Sequence, residues 1–125
     1  TQAVLRLIGI DTPETVDPRK PVGCYGPEAS HNAKELLEGK SVYIELDPMK
    51  KSRYDKYRRT LAYIRLADGT SYNLRAIEQG FAHEYTYSKE SYTHQSEYKE
   101  AEKKARQAKL GLWNPTTCKQ ATNTI

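Results

Sequence analysis

The stretch RLIGIDTPE, residues 6–14, lies where an apolar segment gives way to polar side chains. The segment that leads into it, TQAVLRLIGI (1–10), is rich in Val, Leu and Ile and therefore predicts a β-strand. Pro13 has no backbone N–H to donate, so the strand should end at that point. We expect the polar residues that follow to gather at the end of this strand.

Four of these residues could form a site. Side chains alternate along a strand, so Arg6 projects from one defined face, and a turn at Pro13 can bring Glu14 back towards it. The Asp11 carboxylate and the Thr12 carbonyl are hard oxygen donors of the kind that Ca²⁺ prefers. The simpler interpretation is that Asp-Thr-Pro-Glu is only a turn and that Arg6 is only a surface charge.

The rest of the chain predicts an α+β fold. Pro27 suits the first turn of a helix that carries Ala29, Ala33, Leu36 and Leu37 on one face and ends at Gly39. Segments 41–46 and 60–66 predict two more strands. Two further helices follow. Asn73 should cap the first, which ends at Gly80. The second runs from Thr93 to Lys109, ends at Gly111 and turns four residues inward: Tyr98, Ala101, Ala105 and Ala108.

Composition limits the class of protein. The 125 residues are 37% hydrophobic and 29% charged, which is typical of one globular domain. No apolar run approaches the length that spans a bilayer, so we expect no membrane association. The net charge of +4 and the pI near 9.0 favour an anionic partner, of which nucleic acid is the commonest.

A second segment, DKYRRTLAY (55–63), places Arg59 where a loop becomes a strand. A guanidinium there could donate two parallel hydrogen bonds to a phosphate and bind it more tightly as negative charge develops. The tyrosines Tyr85 and Tyr87 could offer flat faces to nucleic-acid bases. Alternatively, Arg58 and Arg59 belong to a solvated turn and the tyrosines fill the core.

The two cysteines, Cys24 and Cys118, fit no zinc-binding spacing. They could form a disulfide that ties the C-terminal tail to an early loop, or they could be two buried thiols. A disulfide would indicate a secreted or extracytoplasmic protein.

Together these segments resemble the staphylococcal nuclease (thermonuclease) family. The similar stretches are RLIGIDTPE, YGPEAS, LLEGKSVYIELD, DKYRRTLAYI, ADG, EQGFA and KKARQAKLGLW, in the family's order. The resemblance implies an OB-fold β-barrel with flanking helices and a Ca²⁺-dependent endonuclease that cuts DNA and RNA.

The resemblance also implies a role for each matching residue. Arg6 and Arg59 match the catalytic arginines and Glu14 the general base. Asp11 and the Thr12 carbonyl match metal ligands. The nucleotide-contacting positions are Lys56, Tyr57, Tyr85 and Tyr87.

Two features depart from the family pattern. Arg58 stands where the family has glycine, and no segment matches the two early strands that carry an Asp-Gly-Asp metal motif. We therefore expect the N-terminal strands to be missing from this chain. Residues 1–113 would form the incomplete nuclease domain, and residues 114–125 a tail tethered by Cys118. A monomer is expected, or a strand-exchanged dimer if the truncation is real.

Three functional hypotheses remain at this point. The first is the calcium-dependent nuclease; the second is a non-catalytic nucleic-acid-binding module of the same fold. The third is a protein-interaction domain that shares only the fold. The presence of Arg6, Glu14 and Arg59 together favours the enzyme.

Overall fold

The computed structural model describes residues 3–12 and 24–116. These residues contain strands β1 (Leu5–Leu7), β2 (Ile10–Asp11), β3 (Tyr43–Glu45), β4 (Thr60–Arg65) and β5 (His83–Glu84), and helices α1 (Gly26–Leu37), α2 (Tyr72–Glu78) and α3 (Gln95–Gln107). Short 3-10 turns occupy Tyr87–Lys89 and Gly111–Trp113. Glu14 and Cys118 lie outside the described residues.

The strands form one three-stranded and one two-stranded sheet. In the larger sheet β4 is central, parallel to β1 and antiparallel to β3. In the smaller sheet β2 pairs antiparallel with β5. The α+β class is thus confirmed, but the strands of residues 3–12 and 24–116 do not close into a barrel.

The core lies where β4 meets α2 and α3. Its largest buried side chains include Tyr63 and Tyr98, each 1% exposed, whose rings meet edge to face at 6.1 Å. Tyr92 packs on the other side of Tyr98, with ring centroids 5.8 Å apart. Large aromatic rings therefore fill much of this small core, and each contributes more buried apolar area than an aliphatic side chain would.

The turn between β1 and β2 passes directly under these rings. Gly9 has φ of +84° there, and a Cβ at this position would lie 2.6 Å from the Tyr98 ring and 2.7 Å from the Tyr92 ring. Only glycine accommodates both the backbone conformation and the close approach. The packing of Gly9 therefore fixes the path of the chain from β1 into Asp11.

Asn73 has a different role from the one that the sequence predicted. The N-cap of α2 is Ser71, whose hydroxyl accepts a hydrogen bond from the backbone N–H of Leu74, so the prediction of Asn73 as the cap was wrong. Asn73 is fully buried; its amide donates to the Ile8 carbonyl at 2.9 Å and accepts from the Ile64 N–H at 3.1 Å. It ties the end of β1 to β4.

The helix predictions were partly correct. Helix α1 begins with Pro27 in its first turn, as expected. Helix α3 is shorter than predicted and ends at Gln107, which leaves Ala108 exposed. Gly111 does not end this helix. It lies against Gly80, where a Cβ would come within 2.4 Å of the Gly80 carbonyl oxygen.

Among the helices of the described ranges, none combines the length and the apolar composition needed to cross a bilayer.

Candidate active site

Strand register brings the two candidate arginines together. Arg6 lies opposite Leu61 in the parallel pair of β1 and β4. Arg59 precedes Leu61 by two residues, and side chains two residues apart in an extended chain project from the same face. Arg6 and Arg59 therefore project from one face, although 52 residues separate them along the chain.

Both arginines line a single cavity of about 350 Å³, which we call the arginine cavity. Thr12 lines it too. Opposite them, apolar side chains of α1 line the cavity, among them Ala29 and Ala33. Two guanidinium groups thus face a concave space with one largely apolar wall, and electrostatic attraction of an anion is stronger there than in open water.

Asp55 holds Arg59 in place. Its carboxylate accepts from the Arg59 Nε at 2.7 Å and from the Arg59 backbone N–H at 2.8 Å. Burial alone would raise the pKa of Asp55, but these hydrogen bonds from Arg59 outweigh it and lower the pKa. Asp55 occupies the Nε of Arg59, and within residues 3–12 and 24–116 no hydrogen bond occupies its two terminal nitrogens, which can donate to a phosphate.

Sequence reasoning did not identify Asp55 as part of the site. The signal was available, because aspartate commonly accepts hydrogen bonds from backbone N–H groups a few residues later in a turn. Asp55 also accepts from the Tyr57 N–H at 2.9 Å, so one carboxylate organises the whole turn before β4.

Arg6 is held by backbone carbonyls. Its Nη1 donates to the Ile10 carbonyl at 3.0 Å and to the Leu7 carbonyl at 3.2 Å, across the turn from β1 into β2. The guanidinium carbon lies 5.3 Å from the centre of the Tyr85 ring. This arrangement fixes the direction of the side chain, and among the described residues no other hydrogen bond occupies its remaining N–H groups.

Two of the three candidate tyrosines, Tyr57 and Tyr85, lie beside the candidate arginines. Tyr57 lies beside Arg59, whose guanidinium carbon is 5.4 Å from the ring centre, and the Lys56 Nζ is 5.2 Å from the same ring. Tyr85 lies beside Arg6, so one exposed tyrosine accompanies each arginine. Tyr87 begins a 3-10 turn and is 48% exposed, but among the described residues its ring contacts neither arginine.

Asp11 ends β2, opposite His83 of β5. The His83 Nε2 lies 3.6 Å from the Asp11 carboxylate, and about half of the Asp11 side chain is exposed. His83 was not among the predicted site residues. Thr12 follows Asp11 directly and is exposed.

The donor types suit a hard cation. Carboxylate and carbonyl oxygens of the kind supplied by Asp11 and Thr12 are the ligands that Ca²⁺ prefers. Within residues 3–12 and 24–116, no three acidic, histidine or cysteine side chains are clustered closely enough to hold a metal ion. A cation held by Asp11 and the Thr12 carbonyl would need further oxygen ligands, which backbone carbonyls, water, substrate or Glu14 could supply.

Comparison with known proteins identifies the family of this chain. The family model described as "Staphylococcal nuclease homologue" matches residues 4–115. The chain therefore belongs to the staphylococcal nuclease family, as the sequence motifs indicated.

Individual relatives carry related names. The chain is 39% identical over 113 residues to the thermonuclease of Staphylococcus hyicus, a match that covers 90% of this chain and 64% of that protein. It is 38% identical over 109 residues to the thermonuclease of Staphylococcus intermedius, covering 87% and 62%. It is 36% identical over 111 residues to the SPbeta prophage-derived endonuclease YokF of Bacillus subtilis (strain 168), covering 88% and 36%. The chain thus spans less than two thirds of the length of these relatives.

Proposed function

We propose that this chain is the catalytic domain of a calcium-dependent endonuclease that hydrolyses phosphodiester bonds in DNA and RNA. The observation that carries the proposal is the arginine cavity, where Arg6 of β1 and Arg59, which directly precedes β4, face the same space as Thr12. The names of the relatives, two thermonucleases and one endonuclease, support the same reaction class.

In the proposed mechanism the arginine cavity binds the phosphate of the bond to be cut. The terminal nitrogens of Arg59 and the free N–H groups of Arg6 donate to its non-bridging oxygens. Negative charge on these oxygens increases as water attacks, so the hydrogen bonds strengthen towards the transition state. Asp55 acts as a positioning residue, since it fixes Arg59 before substrate arrives.

Glu14 is the proposed general base. It follows Thr12 by two residues, and Thr12 lines the arginine cavity. A carboxylate there would accept the proton of the attacking water. Glu14 lies outside the described residues, so its role is carried by the family resemblance and by this proximity along the chain.

Asp11 and the Thr12 carbonyl are the proposed calcium ligands. The bound cation would supply positive charge beside the phosphate. Exposed aromatic faces at Tyr57, Tyr85 and Tyr87, with the charge of Lys56, would bind the flanking nucleotides.

A digestion experiment separates this proposal from its alternative. Plasmid DNA and a folded RNA are incubated with the full-length protein in Ca²⁺ and then in excess chelator. The proposal requires internal cuts in both substrates that stop when the metal is removed. Binding of both nucleic acids without any cutting would contradict it and support a non-catalytic nucleic-acid-binding module.

We also propose that Cys24 and Cys118 form a disulfide and that the protein acts as a monomer outside the cytoplasm. The two cysteines fit no zinc pattern, and oxidising compartments favour such a bond. Cys118 lies outside the described residues. A free-thiol assay under denaturing conditions should detect no thiol before reduction and two afterwards; two thiols before reduction would contradict the disulfide and remove its support for the location.

A further inference from the structure

Positive charge is concentrated in the segment 50–59, which we call the basic loop. It contains six cations and a single carboxylate, so its net positive charge exceeds the +4 of the whole chain; the cations are Lys50, Lys51, Arg53, Lys56, Arg58 and Arg59. The carboxylate belongs to Asp55 and is already engaged by Arg59. Lys50 forms an ion pair with Glu90, with its Nζ 3.4 Å from the carboxylate, and its side chain is mostly buried. Lys51, Arg53, Lys56 and Arg58 are exposed, so they present a positive surface to any anion nearby.

A second concave surface lies beside the arginine cavity. This outer groove, of about 740 Å³, is lined by Tyr54, Tyr57, Arg58 and Arg59 together with Ala3, Val4 and Thr60. Arg59 is common to the groove and the arginine cavity. The outer groove therefore lies next to the place where the cleaved phosphate would sit between Arg6 and Arg59.

Arg58 is held in an unusual conformation at this groove. Its φ is +64°, in the left-handed region that side chains other than Gly, Asn and Asp seldom adopt. Hydrogen bonds on both sides maintain it: the Arg58 N–H donates to the Asp55 carbonyl at 3.0 Å, and the Asp55 N–H donates to the Arg59 carbonyl at 2.9 Å. Within residues 3–12 and 24–116 the Arg58 guanidinium makes no ion pair, and the residue is exposed.

Two aromatic rings complete the groove. Tyr54 is 51% exposed and Tyr57 is 66% exposed. Exposed tyrosine beside free guanidinium is the combination that binds single-stranded nucleic acid, because the ring stacks on a base while the cation contacts the backbone.

We propose that the outer groove is a second nucleotide subsite, in which Arg58 binds the phosphate next to the one that is cut and Tyr54 stacks on the adjoining base. The occupant is a single strand of DNA or RNA, since a duplex does not offer unstacked bases. This inference rests on the proposed function for its identification of the cleaved phosphate.

The test compares the binding of one phosphate with the binding of several. Thymidine 5′-monophosphate and a thymidine hexanucleotide are titrated calorimetrically into the full-length protein without divalent cation, so that no cutting occurs. Arg58→Asn removes the charge with a residue that tolerates positive φ. Lys51→Asn, in the same basic loop, is the matched control for net charge, and Arg58→Gly checks that the result does not depend on the new side chain.

Arg58→Asn and Arg58→Gly should each weaken hexanucleotide binding about tenfold or more, since each loses one charge-assisted contact. The slope of log affinity against log salt should fall by about 0.7, the value for one phosphate contact on a single strand. Mononucleotide binding should not change, and Lys51→Asn should have a smaller effect on both ligands.

Equal losses in Arg58→Asn and Lys51→Asn would overturn the subsite, and so would equal losses for the two ligands. Tyr54→Ala should likewise weaken the hexanucleotide and spare the mononucleotide. Because these titrations require no hydrolysis, a failure of the subsite and a failure of the nuclease proposal remain distinguishable.

Discussion

Asp47→Asn should destabilise the protein in a strongly pH-dependent way. Asp47 is 6% exposed, and its carboxylate accepts hydrogen bonds from the Tyr63 hydroxyl and from both the hydroxyl and the backbone N–H of Thr93. The Met49 N–H donates to it as well, at 2.8 Å. The carboxylate thereby joins the end of β3 to β4 and to the segment that begins α3.

The size of the effect follows from the pKa. Burial alone would raise the pKa of Asp47, but the hydrogen bonds from Thr93, Tyr63 and Met49 outweigh it and lower the pKa from 3.8 to about 2. A folded-state pKa below the unfolded value gives stability that is present above the unfolded pKa and is lost as the pH falls through the folded pKa. At about 1.4 kcal/mol per unit, this lowering corresponds to about 2.5 kcal/mol at neutral pH.

Urea unfolding followed by circular dichroism at pH 7, 5, 3 and 2 measures this directly. The free energy of unfolding of Asp47→Asn should lie about 2.5 kcal/mol or more below that of the unchanged protein at pH 7, and the gap should narrow by about 2 kcal/mol between pH 7 and pH 2. Asp68→Asn is the control, because Asp68 is fully exposed and its removal should matter much less. A gap that stays constant from pH 7 to pH 2, or no gap at pH 7, would refute the reasoning.

Three further outcomes follow from the site and the fold. Arg59→Lys should lower kcat/KM on single-stranded DNA about a hundredfold or more. Lysine cannot reproduce the two parallel hydrogen bonds to phosphate or the hydrogen bond from Nε to Asp55. A loss below tenfold in steady-state kinetics would contradict this prediction. Glu14→Gln should lower kcat by orders of magnitude with oligonucleotide affinity nearly unchanged, and parallel losses in both would mean that Glu14 binds substrate instead. Gly9→Ala should lower the free energy of unfolding by about 3 kcal/mol, because the new Cβ overpacks the core and φ is positive. In the control Gly69→Ala nothing lies within 4 Å of the new Cβ, so only the cost of positive φ should be lost. Equal losses for the two variants in denaturant unfolding would contradict the close packing of Gly9 under Tyr98.

Local patterns predicted the helices better than the strands. The apolar face of α1 and the early proline fix that helix from sequence alone, because both signals are local. Strands β2 and β5 have two residues each and exist only because they pair with each other across the chain. No local pattern identifies so short a strand.

Glycine and asparagine roles depended on distant contacts. Gly111 was predicted to end α3, but the residue that adopts the left-handed backbone conformation just after this helix is Lys109, with φ of +55°. Gly111 instead permits close approach to Gly80, a residue 31 positions earlier. Asn73 was interpreted as a helix cap because capping is the commonest local use of asparagine, whereas its partners Ile8 and Ile64 lie on two different parts of the chain.

The candidate site was predictable as a list of residues but not as a geometry. Resemblance to the family supplied Arg6 and Arg59, while the parallel register of β1 and β4 is what brings them to one cavity. Asp55 was passed over because its importance lies in how it shapes the turn before β4. Arg58 was noted only as a departure from the family pattern, and its positive φ became visible only in the structure. Glu14 and the proposed disulfide stay predictions.

A double-mutant cycle on Arg6 and Arg59 tests most directly whether both arginines bind a single phosphate. The kcat/KM for a single-stranded oligonucleotide is measured for Arg6→Ala, Arg59→Ala and the double variant, with a parallel cycle that pairs Arg59→Ala with Lys99→Ala on the exposed surface of α3. If one phosphate joins the two guanidinium groups, the double variant should lose less than the sum of the single losses, by about 1 kcal/mol or more, while the Lys99 cycle stays additive. Additive losses for Arg6 and Arg59, within about 0.5 kcal/mol, would show that they act at separate places and would contradict the proposed active site.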